Sequence, residues 1–142
     1  MKLIPFLDFN GQAHDAMAFY AHALGGVVTS EMTYRDMPPS DGPGCDEMPV
    51  DTLDRVAHAQ LDVGGATLMA ADGPSAGNAG GTTINVEVTS IEEAERVFAA
   101  LAAGGTVHMP LAETFWAHRW GMLHDRYGKP WMVNCMKTPH AA

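Results

Sequence analysis

The sequence is poor in cysteine, in basic side chains and in long apolar runs, and each shortage excludes a class of protein. Cys45 and Cys135 are too few and too far apart for a disulfide framework or a zinc ribbon. No run of about 18 apolar residues is present, which argues against a membrane span. The first eight residues lack the apolar core of a secretory signal. We therefore expect a cytoplasmic protein.

Charge limits the partners that the chain can have. Its 142 residues carry 17 acidic and 8 basic side chains, a net charge of −9. This balance argues against nucleic acid as a partner and is compatible with a cationic ligand. Residues 36–54 hold six of the acids, four prolines and two glycines, but no base. Whether this loop is only solvated or contacts a ligand stays open.

Hydrophobic periodicity predicts helices and strands along the whole chain. Asn10 is a candidate N-cap for the first helix, and Ser90 with Glu93 resembles a capping box for the second. Gly25-Gly26 and Gly104-Gly105, 79 residues apart, end these helices, since glycine adopts the left-handed conformation without a Cβ penalty. The strands are predicted at residues 2–9, 27–34, 58–63, 66–71, 82–88, 106–110, 115–124 and 131–137, and the first helix at 12–24.

The order of these elements predicts an α+β fold with two tandem βαβββ modules. Module one covers about 1–72, with a loop at 36–56, and module two about 80–138, within a single domain 1–142. Short connections between consecutive strands predict sheets that are mainly antiparallel, and each helix must cover one face of its sheet.

Alternation along the strands places polar side chains on the other face of each sheet. Asn85 and Glu87 alternate with aliphatic residues. Across the Gly64-Gly65 hairpin, His58, Gln60 and Asp62 share a face with Thr67, Met69 and Ala71 of the next strand. If both sheets turn these faces inward, they line a polar cavity that suits a small molecule. Antiparallel sheets also commonly expose one face to solvent, so the pattern alone leaves both possibilities open.

Several motifs, spread over nearly the whole chain in order, resemble those of a known family. They are Phe9-Asn-Gly11, Phe19-Tyr20, Met32-Thr-Tyr34 with Asp36-Met-Pro38, "GGATLMAAD" at 64–72, "ETFWA" at 113–117 and "DRYGKPWMVN" at 125–134. With two βαβββ halves, the chain resembles the vicinal-oxygen-chelate superfamily of glyoxalase I, bleomycin-resistance proteins and extradiol dioxygenases, and within it the PhnB-like branch. The resemblance implies curved sheets around a central cavity and a homodimer.

The resemblance also bears on cofactors. Metal-dependent members hold a divalent ion at positions that correspond to Pro5, Met69, Thr83 and Met132, none of which suits such an ion. We therefore expect no cofactor, with a metal elsewhere as the alternative. Some members carry the name 3-demethylubiquinone methyltransferase. The chain lacks a glycine-rich strand–turn–helix that would hold S-adenosylmethionine, so methyl transfer is not favoured.

Two residues are candidates for acid–base chemistry. His58 can exchange a proton near neutral pH, or it is simply a hydrogen-bonded histidine at a strand end. Glu113, close to Trp116 in sequence, would have a raised pKa if the indole desolvated it; alternatively it is a surface carboxylate or a partner of Arg119. The predicted ligand-binding residues are His58, Gln60, Asn85, Glu87, Glu113, Trp116 and Asn134.

The sequence allows two roles for Trp116 and Trp120 and three functions for the protein. Trp116 and Trp120 can stack on a planar or cationic ligand or pack in the core, whereas Trp131 and Cys135 are predicted to be buried. Three functions stay open. The chain is a metal-independent small-molecule-binding protein, a lyase, isomerase or dioxygenase-type enzyme using a metal or acid–base chemistry, or a dimeric interaction module without a ligand.

Overall fold

The structure, a computed structural model, describes residues 2–37, 49–73 and 82–138. Its contacts divide the chain into two compact units, Met1–Ala79 and Gly80–Ala142. Each unit contains one four-stranded mixed sheet and one α-helix in the order βαβββ. The α+β class and the paired modules are therefore confirmed. Within the described ranges, no helix is both long and apolar enough to cross a membrane.

The first unit orders its strands β1-β4-β3-β2. Strand β1 runs parallel to β4, and the other two pairs are antiparallel. Two short 3₁₀ helices lie in the connection from β2 to β3, and residues 38–48 of the predicted acidic loop lie outside the described residues. The elements are β1 (Phe6–Phe9), α1 (Ala13–Leu24), β2 (Val27–Thr33), the 3₁₀ helices Tyr34–Asp36 and Val50–Thr52, β3 (Val56–Val63) and β4 (Ala66–Asp72).

The second unit repeats this arrangement in the order β5-β8-β7-β6. Its parallel pair is β5 with β8, which matches β1 with β4 of the first unit. The elements are β5 (Ile84–Glu87), α2 (Ile91–Ala102), β6 (Thr106–Ala112), β7 (Ala117–His124) and β8 (Pro130–Met136).

In each unit the helix covers one face of its sheet, and the core of that unit lies between the helix and the sheet. Small side chains on α1 bring the helix close to β3 and β4, whereas larger side chains fill the second core around Trp131, which is 1% exposed. Trp131 and Cys135 are buried, as predicted. The buried apolar residues of these two layers are Phe9, Ala13, Ala16, Met17, Tyr20, Ala23, Ala59, Leu61, Leu68 and Ala70 in the first unit, and Ala94, Val97, Phe98, Leu101, Leu123, Trp131, Val133 and Cys135 in the second.

Strand β7 begins later than its pattern predicts. The prediction of a strand from Phe115 was wrong at this end, because residues 115 and 116 lie in a bend. Thr114 closes a local turn there: its backbone N–H donates to the Ala117 carbonyl, and its hydroxyl accepts from the Ala117 N–H, both at 3.0 Å. Strand β1 likewise begins at Phe6 instead of Lys2.

The start of α1 also differs from the prediction. Asn10 does not cap the helix: its side-chain oxygen accepts a hydrogen bond from Arg55 at 2.8 Å. The carboxylate of Asp72, at the end of β4, takes this role instead. Its Oδ1 accepts the backbone N–H groups of Gly11 and Ala13 at 2.7 and 3.1 Å. Because the cap comes from 59 residues away, no local pattern announces it.

Helix α2 follows its sequence signal more closely. The Ser90 hydroxyl accepts the Glu93 N–H at 3.1 Å, which confirms the predicted N-cap. After the helix, Gly104 has a φ of +76°, a conformation that favours glycine. The second glycine of the pair, Gly105, is needed for a different reason. A Cβ there would clash with the His124 carbonyl and lie 2.9 Å from the backbone of Asp125, so the connection from α2 to β6 could not lie against the end of β7 as it does.

Asp72 provides a test of how the first unit is held together. It is 3% exposed, and its Oδ2 accepts the Val56 N–H at 2.9 Å in addition to the two bonds at α1. We expect Asp72→Ala to lower the free energy of unfolding by about 3 kcal/mol, because three backbone donors lose a charged acceptor. Urea denaturation measures the change. Asp54→Ala, which removes an exposed carboxylate bonded to Arg35, is the control. A loss no larger than in this control would contradict the assignment.

Candidate functional site

Each sheet has a distal face, which we define as the face turned away from its own helix. On the first sheet, Gln60 pairs with Met69 and Asp62 with Thr67. His58, which pairs with Met32 of β2, lies on the same side as Gln60. The predicted alternation, which placed His58, Gln60 and Asp62 on one face of the sheet, is therefore confirmed.

The polar groups of the first distal face bond largely to one another. The Asp62 carboxylate accepts hydrogen bonds from Gln60 at 3.1 Å and from the Thr67 hydroxyl at 3.0 Å. These bonds, that from Gln60 first, lower the pKa of Asp62. Lys2 in turn donates to Thr67 at 3.3 Å. His58 is half-buried beside this cluster. A ligand on this face would compete with bonds that the protein already makes.

The second distal face is built differently. Side chains that pair across neighbouring strands form rows on this face. Alternation along the strands predicted the positions of Asn85, Glu87 and Asn134 on it correctly. One row is rich in thioethers and the next combines a carboxylate, an amide and an indole. The rows are Asn85–Met132–Met122–Met109 and Glu87–Asn134–Trp120–Ala112.

Asn134 is the most unusual residue of this face. Its side chain is 8% exposed, and its Nδ2 donates to the Met136 sulfur at 3.0 Å. Its Oδ1 is fully buried and accepts no hydrogen bond, the one such side-chain atom among residues 2–37, 49–73 and 82–138. A buried acceptor without a donor costs about 1–3 kcal/mol. Such an atom calls for an explanation, and a donor supplied by a ligand is one.

Aromatic rings extend from Asn134 towards the start of β7. Trp120, half-buried, is the direct cross-strand partner of Asn134. The Trp116 ring lies 5.6 Å from that of Trp120 at an angle of 68°, and Phe115 packs edge-on against Trp116 at 4.8 Å. Trp116 therefore reaches the distal face through Trp120. The sequence pattern left both ligand stacking and core packing open for Trp120, and the register of the β7–β8 hairpin places it beside Asn134.

The other side of β7 is occupied by its helix. Arg119 pairs with the buried Cys135 and contacts Glu95 of α2 at 3.3 Å. The Arg119 side chain is therefore turned towards α2 and away from the distal face. Of the neighbouring residues Arg119 and Trp120 in "ETFWAHRW", only Trp120 therefore lies on the distal face.

Glu113 does not have the environment expected from its neighbour Trp116. The Lys137 ammonium lies 2.9 Å from its carboxylate, and this hydrogen bond and charge lower the pKa of Glu113. Of the two alternatives that the sequence left open, the surface carboxylate therefore describes Glu113, because the side chain is exposed and paired with a cation instead of being desolvated. Arg119, the other proposed partner, contacts Glu95. Glu113 is thus a carboxylate at neutral pH and a poor general acid.

The positions that correspond to the family's metal ligands do not form a donor set. Pro5 and Thr83 lie just before β1 and β5, and Met69 and Met132 lie on the two distal faces. Proline and thioether side chains do not suit a hard divalent ion. Across the part of the chain that the structure describes, no group of three or more His, Cys, Asp or Glu side chains is placed to hold a metal.

The Glu113–Lys137 pair gives a pH test. Because the folded pKa of Glu113 is lowered, the pair stabilises the fold above the unfolded pKa, and this contribution is lost as the pH falls through the folded value. We expect Lys137→Met to raise the pKa of Glu113 towards its ordinary value, measured by carboxyl ¹³C NMR titration. Lys129→Met is the matched control and should leave this pKa unchanged. A Glu113 pKa that is the same in all three proteins would refute the pairing.

Comparison with known proteins places this architecture in a family. Residues 1–134 match the family described as 3-demethylubiquinone-9 3-methyltransferase. Protein YjdN of Escherichia coli is 35% identical, over 96% of this chain and 97% of that protein. The crystal structure of PA1353 from Pseudomonas aeruginosa is 41% identical, with a TM-score of 0.82 over 96% of this chain and 98% of that one.

Two further solved structures define the branch and the fold. A putative 3-demethylubiquinone-9 3-methyltransferase, PhnB protein, from Bacillus cereus is 27% identical, with a TM-score of 0.71 over 95% of this chain and 99% of that one. A glyoxylase/bleomycin resistance protein/dioxygenase domain from Frankia sp. is 11% identical, with a TM-score of 0.62 over 95% and 94%, and shares the fold. The chain belongs to the PhnB-like, 3-demethylubiquinone-9 3-methyltransferase family of the glyoxalase/bleomycin resistance/dioxygenase fold.

Proposed function

We propose that this protein binds a small molecule on the distal face of its second sheet. The observation that carries the proposal is the buried Oδ1 of Asn134, which accepts no hydrogen bond within the protein. A ligand N–H or O–H group directed at this oxygen would satisfy it. The first distal face supports binding less well, because its Asp62 already accepts bonds from Gln60 and Thr67.

The surrounding side chains indicate the kind of ligand. Trp120 presents an indole beside Asn134, and Met122 and Met132 lie in the adjacent row. Thioether side chains are flexible and polarisable, so they adapt to an apolar ligand body. The Glu87 carboxylate is the neighbour of Asn134 on β5. With the net charge of −9, this favours a planar or cationic molecule that carries at least one hydrogen-bond donor.

We propose that the small molecule binds without a metal or another cofactor. Its support is the donor set at the family's metal positions, where Pro5 and Met132 offer no suitable ligand. His58 and Glu113 stay as candidates for acid–base chemistry in a lyase, isomerase or dioxygenase-type alternative. Glu113, paired with Lys137, is in that case a base and not an acid. We propose that the protein acts in the cytoplasm and not on nucleic acid.

Asn134→Leu tests the binding site. Leucine has the same branched shape and removes the unsatisfied oxygen, so we expect the free protein to melt at the same temperature or higher. The same variant should lose binding. The measurement is a thermal-shift screen of planar amines and other small metabolites, together with mass spectrometry of molecules extracted from the purified protein. A ligand at 100 times its dissociation constant adds about 2.7 kcal/mol to stability.

The control for this test is Asn10→Leu, at an exposed asparagine of the first unit whose oxygen is already bonded to Arg55. It should keep every ligand-induced shift that the unaltered protein shows. A compound that stabilises the unaltered protein and Asn134→Leu equally would show that it binds elsewhere. If no compound in the screen binds and nothing is extracted, the interaction module without a ligand replaces this proposal.

We propose also that the protein is a homodimer. Several large apolar side chains are strongly exposed, among them Leu3 at 88% and Phe115 at 89%. A second copy of the chain that covered such side chains would remove apolar surface from water, which favours association. Light scattering coupled to size-exclusion chromatography should give twice the chain mass of 15.1 kDa. A single-chain mass at micromolar concentration would contradict the dimer.

A further inference from the structure

Two histidines meet at one end of the second sheet. The rings of His108 on β6 and His124 on β7 pack edge-on, with centroids 4.4 Å apart and planes at 83°. The Nδ1 atom of His124 and the Nε2 atom of His108 are in hydrogen-bond contact. The sequence pattern did not predict this pair, because the two residues are 16 positions apart and follow no H-x-H or H-E-x-x-H spacing.

The fold produces this contact through a β-bulge. Val107 pairs with Leu123 and Met109 with Met122, so His108 is the extra residue between two regular pairs. A bulge of this kind re-aims the side chain of the extra residue. His124 is held from the other side, since it ends β7 immediately before the buried Asp125.

The turn that follows His124 is rigidly anchored. The Asp125 carboxylate accepts the backbone N–H groups of Tyr127 and Lys129 at 2.8 and 3.0 Å, and the Trp131 indole N–H at 2.8 Å. Trp131 is itself a core residue. The backbone of His124 is therefore fixed by the core of the second unit, and the histidine pair does not depend on a loose loop.

Two ring nitrogens in contact need one proton between them, because one must donate and the other accept. When the donating ring carries its proton on its other nitrogen instead, both lone pairs are free and point to the same place. We infer that His108 Nε2 and His124 Nδ1 form a chelating pair for a divalent transition-metal ion such as Zn²⁺, Ni²⁺ or Cu²⁺. Imidazole is a preferred ligand of these ions, at about 2.0–2.1 Å. Two such bonds at about 90–110° place the nitrogens roughly 2.9–3.4 Å apart, which small ring rotations provide.

The inferred metal site shares no residue with the proposed ligand site. Along β7, His124 is two residues from Met122, about 7 Å, and four residues from Trp120, about 13 Å. His108 is exposed and His124 is half-buried, so solvent molecules can complete the coordination of the ion. The inference does not rest on the proposed function, and each can fail without the other.

Titration with Zn²⁺ alone tests the inference on the full chain. Isothermal titration calorimetry should show one site, with Cu²⁺ binding more tightly than Zn²⁺. In side-chain ¹⁵N NMR spectra, Zn²⁺ should move His108 Nε2 and His124 Nδ1 to the shifts of metal-bound nitrogens and make the other nitrogen of each ring a fixed N–H. This measurement uses the unaltered protein, so it does not depend on whether a variant folds. Zn²⁺ that leaves both resonances unshifted would overturn the inference.

Variants give the second arm of the test. His108→Gln and His124→Gln should each weaken Zn²⁺ binding at least tenfold, with far-UV circular dichroism confirming that the sheet is intact. His118→Gln, an exposed histidine of the same strand, and His140→Gln, outside the described residues, should retain the affinity within twofold. Asn134→Leu should also retain it. An affinity lost in His118→Gln or His140→Gln, and kept in His108→Gln, would place the metal elsewhere and reject this pair.

Discussion

One helix per sheet is the constraint on which the rest of this structure depends. A single helix can bury only one face of a four-stranded sheet, so alternate residues of every strand are assigned to that helix and the others turn away from it. In the second unit this rule sends Val133 and Leu123 into the core and leaves Asn134 and Trp120 on the distal face. The core thus determines which side chains are available for function, even though it contributes none of them.

The alternation of apolar and polar residues along the strands is also the feature that the sequence predicts most reliably. The positions of Asn85, Glu87 and Asn134, the burial of Trp131 and the Ser90 cap all follow from local patterns, and the structure confirms them. What the pattern lacks is register, because register joins residues that are distant in the chain. Trp120 becomes a neighbour of Asn134 only through the pairing of β7 with β8.

The errors at single residues have the same origin. Asn10 has the residue type of an N-cap, but its oxygen accepts from Arg55, and the N–H groups at the start of α1 bond to the Asp72 carboxylate, which is the stronger acceptor. Glu113 is near Trp116 in sequence, yet Lys137 from the neighbouring strand end determines its pKa. The His108–His124 contact depends on a bulge. In each case a long-range partner overrides the local signal, and no count of residue types in a window reveals it.

The two units show how one architecture diverges. Met69 and Met132 occupy equivalent positions in the two sheets. Each pairs with a residue of a parallel strand on one side and with a residue of an antiparallel strand on the other. Beside Met69, however, Gln60 belongs to a polar cluster whose bonds are made within the protein. Beside Met132, the face leads to Asn134, whose oxygen has no such bond. A fold selected only for stability would not retain that buried oxygen, because an apolar residue of the same size removes its cost. This asymmetry between the two sheets is the reason that we propose the second sheet, and not the first, as the place where a ligand binds.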